Sequence, residues 1–158
     1  MAQICRFGET YVPPHYAPLI GAAAAQAQVR WWSPERIDAT VSQRLIVIAR
    51  AAGQLVGVGQ RGRRGTEHVI YKLYLHPAYR GHGLGPRLID ALIAQLPTGV
   101  DRIFIEHFAG NERAAAFYER EGFRVTQVDP APNADPRLAT VWRSRELTRA
   151  AVPCAAGS

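Results

Sequence analysis

The sequence predicts an α/β (α+β) fold. Short apolar or β-branched runs over residues 45–51, 54–60, 69–75, 102–108, 123–128 and 138–142 have the length and composition of strands. Leu84, Leu88, Leu92 and Leu96, with Ile89 and Ile93 beside them, recur at helical spacing and build one wide apolar face suited to packing on a sheet. Helical signals also precede the first strand, so helices open the chain and strands and helices then alternate.

Each element has its own start and stop. Pro13-Pro14 precedes a predicted helix over 15–30, and Ser33-Pro34-Glu35 supplies the cap, first-turn proline and acidic residue of a second. Ala52-Gly53 separates two strand-like runs and predicts an antiparallel hairpin. Arg61, Arg63 and Arg64, interleaved with Gly62 and Gly65, read as the solvated tip of the next hairpin. His76-Pro77 ends the third strand, because proline has no ladder donor. Pro97 and Gly99 stop the leucine-rich helix. Asn111 caps a helix carrying Ala114, Phe117 and Tyr118 on one face, and Gly122 terminates it. The last two strands flank a Pro-rich loop over 129–136, and the domain is expected to span 1–149 with a loose tail over 150–158.

At 158 residues, 47% hydrophobic and 20% charged, the chain suits one domain with a sizeable core. It has neither an apolar run long enough to cross a bilayer nor a leader-like start, so no membrane association and a cytoplasmic location are expected. Cys5 and Cys154 stand outside any C-x-x-C pattern and are expected as free thiols; the histidines show no metal-ligand spacing, so no metal is expected. The net charge of +6 favours anionic partners: a phosphorylated cofactor, an acidic substrate or nucleic acid.

Arg80-Gly81-His82-Gly83-Leu84-Gly85, following the run 69–75 and opening the amphipathic helix, has the character of a pyrophosphate cradle. Glycines let a loop pass close to an anion at positive φ, while free N–H groups and the positive end of the helix dipole point at the charge. A nucleotide P-loop needs Gly-Lys-Ser/Thr where this chain has Gly85-Pro86-Arg87, and a dinucleotide fingerprint needs Gly or Ala where Pro86 stands.

With Asn111-Glu112-Arg113-Ala114-Ala115-Ala116-Phe117-Tyr118, then Gly122-Phe123, the pattern resembles the GNAT superfamily of N-acetyltransferases. That resemblance implies a mixed, mainly antiparallel sheet of about six to seven strands flanked by about four helices. It also implies acetyl-coenzyme A as donor, with direct transfer to an amine. Leu73 would pair with the pantetheine arm, inserted between splayed strands. Leu75 would offer its N–H to the carbonyl oxygen. His82, Gly83 and Gly85 would give amides to the pyrophosphate, with Gly81 and Leu84 in the same loop and Arg80 as a nearby cation. Asn111 would contact pantetheine, and Tyr118 would be the general acid for the departing thiolate.

The general base is less defined, because the family's usual glutamate position holds Val69. Glu67, two residues earlier and expected on the same strand face, ranks first, followed by Glu106 on the neighbouring strand, His76, and then a water chain or an acceptor that is already neutral. His107 reads as a satisfied sheet residue. Trp31 and Trp32 beside Glu35 and Asp38 are either core residues or a holder for an organic cation, whereas the arginine hairpin argues for an acidic acceptor. The acceptor amine is unidentified, a homodimer stays open, and nucleic acid is the less favoured partner. A non-catalytic acyl-coenzyme A sensor, or an enzyme acting on aminoacyl-tRNA or protein N-termini, are the rival readings.

Overall fold

Three helices, α1 (Ala2–Ile20), α2 (Ala22–Ala27) and α3 (Pro34–Ser42), lead into the strands β1 (Ile46–Ala51), β2 (Gln54–Arg64) and β3 (Glu67–Leu75). Then come α4 (Leu84–Ala94), β4 (Arg102–Phe108), α5 (Glu112–Arg120), β5 (Arg124–Asp129) and β6 (Thr140–Glu146). The structure, a computed structural model, describes residues 1–148; the expected tail over 150–158, with Cys154, lies outside them. The strands form one sheet in the order β1-β2-β3-β4-β6-β5, antiparallel at every pairing except β3 with β4. The expected mixed, mainly antiparallel sheet is therefore present, with five α-helices rather than about four.

The extra helix comes from the N-terminus, where the predicted helix over 15–30 is replaced. α1 begins at Ala2 and runs through Pro13, Pro14 and Pro18, and Gly21 at φ 83° separates it from α2. An interior proline costs a helix about 3 kcal/mol. Ile4, Phe7 and Val12 offset that by packing with Trp32, Ile37 and Val58 on one sheet face, each burial contributing roughly 1.5–3 kcal/mol. Residues 28–32 close the segment as a 3₁₀ turn that drives Trp32 into this core.

The opposite face carries a second core, where Ile89 and Leu92 of α4 pack with Ile70, Ile103, Ile105, Tyr118 and Phe123. The leucine and isoleucine periodicity is thus satisfied against the sheet, as predicted.

Two local departures from the expected strands shape the cleft. The β2–β3 turn falls at Gly65-Thr66, so Arg61 lies inside the strand, is only 8% exposed, and donates from Nη2 to Gln95 O at 2.8 Å. It is not part of a solvated tip, although Arg63 and Arg64 are exposed. The second departure is a bulge: Gln60 pairs with Lys72 and Arg61 with Ile70, leaving Tyr71 without a partner. Ile70 and Leu73 therefore both pack on the α4 side, while Tyr74 joins the α1 core and Lys72 lies over Trp32.

Gly8 is where α1 comes closest to the 3₁₀ turn, since a Cβ there would stand 2.2 Å from Trp32 Cδ2. Gly8→Ala is expected to lower stability by about 1–3 kcal/mol. Urea unfolding checks this, and an unchanged midpoint would mean that α1 does not press on Trp32.

Candidate active site

β3 and β4 are paired only at Val69 with Phe104 and Ile70 with Ile105. Beyond those residues the parallel strands part, and a cavity of about 430 Å³ opens between them. Leu73 and Leu75 line it from β3, and Glu106 and His107 from β4. His76 donates its N–H to Val56 O on β2 at 2.8 Å. Strand amides alternate sides, so the N–H groups of Leu75 and Leu73 point to the other edge, into the gap.

The glycine loop forms the next wall. Gly81 and Gly83 take φ of 78° and 75°, a region that side chains with a Cβ enter at a cost, and Gly83 is the N-cap of α4. The first amides of α4, which have no partner within the helix, are therefore presented at the cavity. Gly81, Gly83 and Gly85 line it; His82 and Leu84 do not, and the His82 ring is tied to Arg80 O at 2.9 Å through Nδ1. Arg80 and Arg113 stand on this wall, and burial and then the charge of Arg113 lower the Arg80 pKa. Gly85 brings α4 against α5, since a Cβ would lie 2.8 Å from Phe117 Cζ.

Asn111 caps α5, its Oδ1 accepting from Ala114 N at 3.2 Å, while Nδ2 lies 3.5 Å from His15 Nε2. Tyr118 is 8% exposed, and burial, with Tyr16 adding to it, pushes its phenol well above the ordinary value. It is a protonated group at neutral pH, in the wall of the cavity.

Of the candidate bases, the structure brings Glu106 to the site. Glu106 is exposed on its strand and borders the cleft, and partial desolvation by the protein around it raises its pKa. Glu67 lies opposite Arg64 at the far end of β3, roughly 25 Å along the strand from Leu75. Its alternation with Val69 holds, and it is distance along β3 that keeps it from the cavity. His76 lines neither this cavity nor its neighbour: it caps the turn after β3, accepting from Ala78 N, and packs on Tyr11 and Tyr79. His107 is satisfied, with Nδ1 at 2.8 Å from Phe108 O and Nε2 accepting from Arg143 Nε at 3.0 Å.

A second cavity, of about 620 Å³, lies against the first, and Tyr16, Tyr71, Tyr74, Glu106 and His107 border both. The rest of its lining comes from α1, the 3₁₀ turn, α3 and the sheet, with Trp31, Trp32 and Arg36 from the helical segments and Lys72 from β3. Glu35 and Asp38 do not line it, so the expected acidic side of a cation holder is absent and the ionisable groups around the tryptophans are basic. Trp32 is a core residue, as one of the two expectations had it, while Trp31 is 41% exposed. Sequence reasoning missed Lys72, Arg36, His15 and Tyr16. Lys72 left a signal, a charged residue within an apolar strand run, and the rest depended on the course of α1.

The Acetyltransferase (GNAT) domain family model matches residues 42–125. An uncharacterised N-acetyltransferase of Mycobacterium bovis is 30% identical over 115 residues, covering 72% of this chain and 70% of its own. The chain belongs to the GNAT acetyltransferase family. The N-alpha-acetyltransferase RimI of Mycobacterium tuberculosis is 34% identical over 80 residues, 48% of this chain and 49% of that one. The PaiA N-acetyltransferase of Thermoplasma acidophilum, solved in complex with coenzyme A, shares the fold at TM-score 0.76 and 18% identity over 92% of each chain. The matched part of this GNAT chain holds the glycine loop, the parted strands and α5, whereas α1 and nearly all of α3 precede it. Among the described residues no helix is long and apolar enough to cross a membrane, and no cluster suits a metal ion.

Burial, with Arg36 nearby, lowers the Lys72 pKa from 10.5 to about 8. Between those values the unfolded chain holds the proton and the folded chain does not, so stability rises with pH across that window. Lys72→Met is expected to remove a gain on the order of 2–3 kcal/mol between the two ends. Paired urea titrations at both pH values measure it.

Proposed function

We propose that this chain is an acetyl-coenzyme A-dependent N-acetyltransferase acting on a primary amine. The observation that carries the reading is the parting of β3 and β4 beside a positive-φ glycine loop at a helix N-terminus, with the Leu75 amide directed into the gap. A row of strand-edge amides ending at a cationic loop fits a long ligand that has amide groups along its arm and a pyrophosphate at its end. Leu73 and Asn111 would hold the arm, and Gly81, Gly83, Gly85, Arg80 and Arg113 the phosphates; His82 and Leu84 contribute through the loop backbone. Pro86, without an N–H, sits early in α4 where that donor has no intrahelical partner.

When bound, acetyl-coenzyme A supplies the thioester whose acetyl group is transferred. The Leu75 N–H donates to the carbonyl oxygen as negative charge develops there. Glu106 accepts the proton of the attacking amine, directly or through water, its raised pKa making it a better base than an ordinary carboxylate. Tyr118 gives its phenolic proton to the departing sulfur. The desolvation that keeps the phenol protonated also makes a thiolate in the same slot more basic, which keeps the two matched. The two cavities deliver donor and acceptor from opposite sides of their shared wall.

Calorimetric titration with acetyl-coenzyme A is expected to give one site per chain, and free-thiol release on adding an amine to report turnover. Tyr118→Phe should keep that affinity while kcat falls about a hundredfold or more. Glu106→Gln should flatten the acidic limb of kcat/KM, which in the parent falls as the carboxyl protonates above its ordinary 4.5. Binding without thiol release on any amine would leave a sensor of acyl-coenzyme A, and no binding would sink the reading.

A further inference from the structure

The cations of the acceptor cavity have no salt-bridge partner among the described residues. Lys72 is 9% exposed, its Nζ donates to Gln60 Oε1, and it sits 5.2 Å from the Trp32 ring centroid. Gln60 is held in turn, its Nε2 donating to Thr40 Oγ1 at 3.3 Å, and Thr40 donating to Arg36 O at 2.7 Å. The guanidiniums of Arg36, which lines the same cavity, and of Arg30 lie 4.4 and 5.1 Å from the Trp31 ring centroid. Among the described residues none of these cations forms a salt bridge, and Glu106, across at the shared wall, is the one carboxylate of the lining.

An ammonium with a single polar partner is costly to bury, and cations gathered around indole faces without a counter-ion favour an incoming anion. The volume of about 620 Å³ suits a small molecule. Resting on the acetyltransferase reading, we propose that the acceptor is a small amine bearing an oxyanion, such as a free amino acid. Its carboxylate or phosphate is held by Lys72 and Arg36 and its apolar part lies on Trp31 and Trp32. Its amino group reaches Glu106 at the junction with the donor cavity. The polarity of the cavity thus orients the acceptor, anion at the α3 end and nucleophile at the parted strands.

The test is binding read by tryptophan fluorescence in the presence of coenzyme A, with phenylalanine and leucine each compared with its amide, and phosphoethanolamine with ethanolamine. The amino acids are expected to bind about tenfold or more tightly than their amides, a gap of one charged contact. Lys72→Met, which keeps the stem on Trp32, and Arg36→Gln, at an exposed position, should each collapse that gap. Preference for phosphoethanolamine alone would support the oxyanion site with phosphate as its ligand. Equal binding of acids and amides, no binding of any probe, or a gap that survives both substitutions would overturn the proposal. Lys72-dependent binding of amino acids in a protein that fails to bind coenzyme A would uphold the oxyanion site and overturn the acetyltransferase reading. Thiol release with the same probes then shows whether preference in binding becomes preference in kcat/KM.

Discussion

The parting of β3 from β4 is the constraint around which the molecule is arranged. Parallel strands normally stay paired because each unpaired amide buried away from water costs free energy comparable to a lost hydrogen bond. Here the pairing stops after Ile70 and Ile105, and the strand ends beyond it are separated by a cavity. What keeps them from closing is the packing beneath: Ile70, Ile103 and Ile105 are fixed against Ile89, Leu92 and Phe123. The bulge at Tyr71 adds local twist to β3 at the position where β4 leaves it. The gap is a product of the core.

That same bulge divides labour between the two sheet faces. Without it Lys72 would share a face with Ile70, in the apolar layer under α4, where a cation has no polar partner. With it, Leu73 and Leu75 keep to the α4 side and Lys72 and Tyr74 turn toward α1 and the tryptophans. One extra residue in one strand therefore sets both the slot between the parted strands and the chemistry of the neighbouring cavity. Tyr16 and Tyr74, joined hydroxyl to hydroxyl at 2.8 Å, stand in the wall between them.

Much of this was legible in the sequence because it is local. Strand runs, the leucine periodicity, the Asn111 cap and the glycine loop each rest on residues within a few positions of one another, and the structure places them accordingly. The course of α1 was not legible, since three prolines signal a break and only long-range burial against Trp32 and Val58 outweighs them. The bulge was equally hidden: no residue type near Tyr71 announces it, and Lys72 went unnoticed, while Glu67 was put forward from its spacing to Val69 alone. Arg61 misled for the same reason, because a charged residue among glycines resembles a turn until its strand is paired. What the sequence could not convey is which distant segments press on one another.

The prolines of α1 have a mechanical meaning as well. Pro13, Pro14 and Pro18 lack amide hydrogens, so the carbonyls one turn earlier lose their helical donors over the stretch that carries His15 and Tyr16 to the cleft. The wall on that side is softly bonded, while the floor is a sheet ladder and the opposite wall is packed core. A change in the soft member can therefore reshape the cavity beside it while the pairing of β3 with β4 at Val69 and Ile70 stays fixed. On the proposed function, substitutions in the opening helix would adjust which acceptors fit while the glycine loop and the parted strands stay as they are.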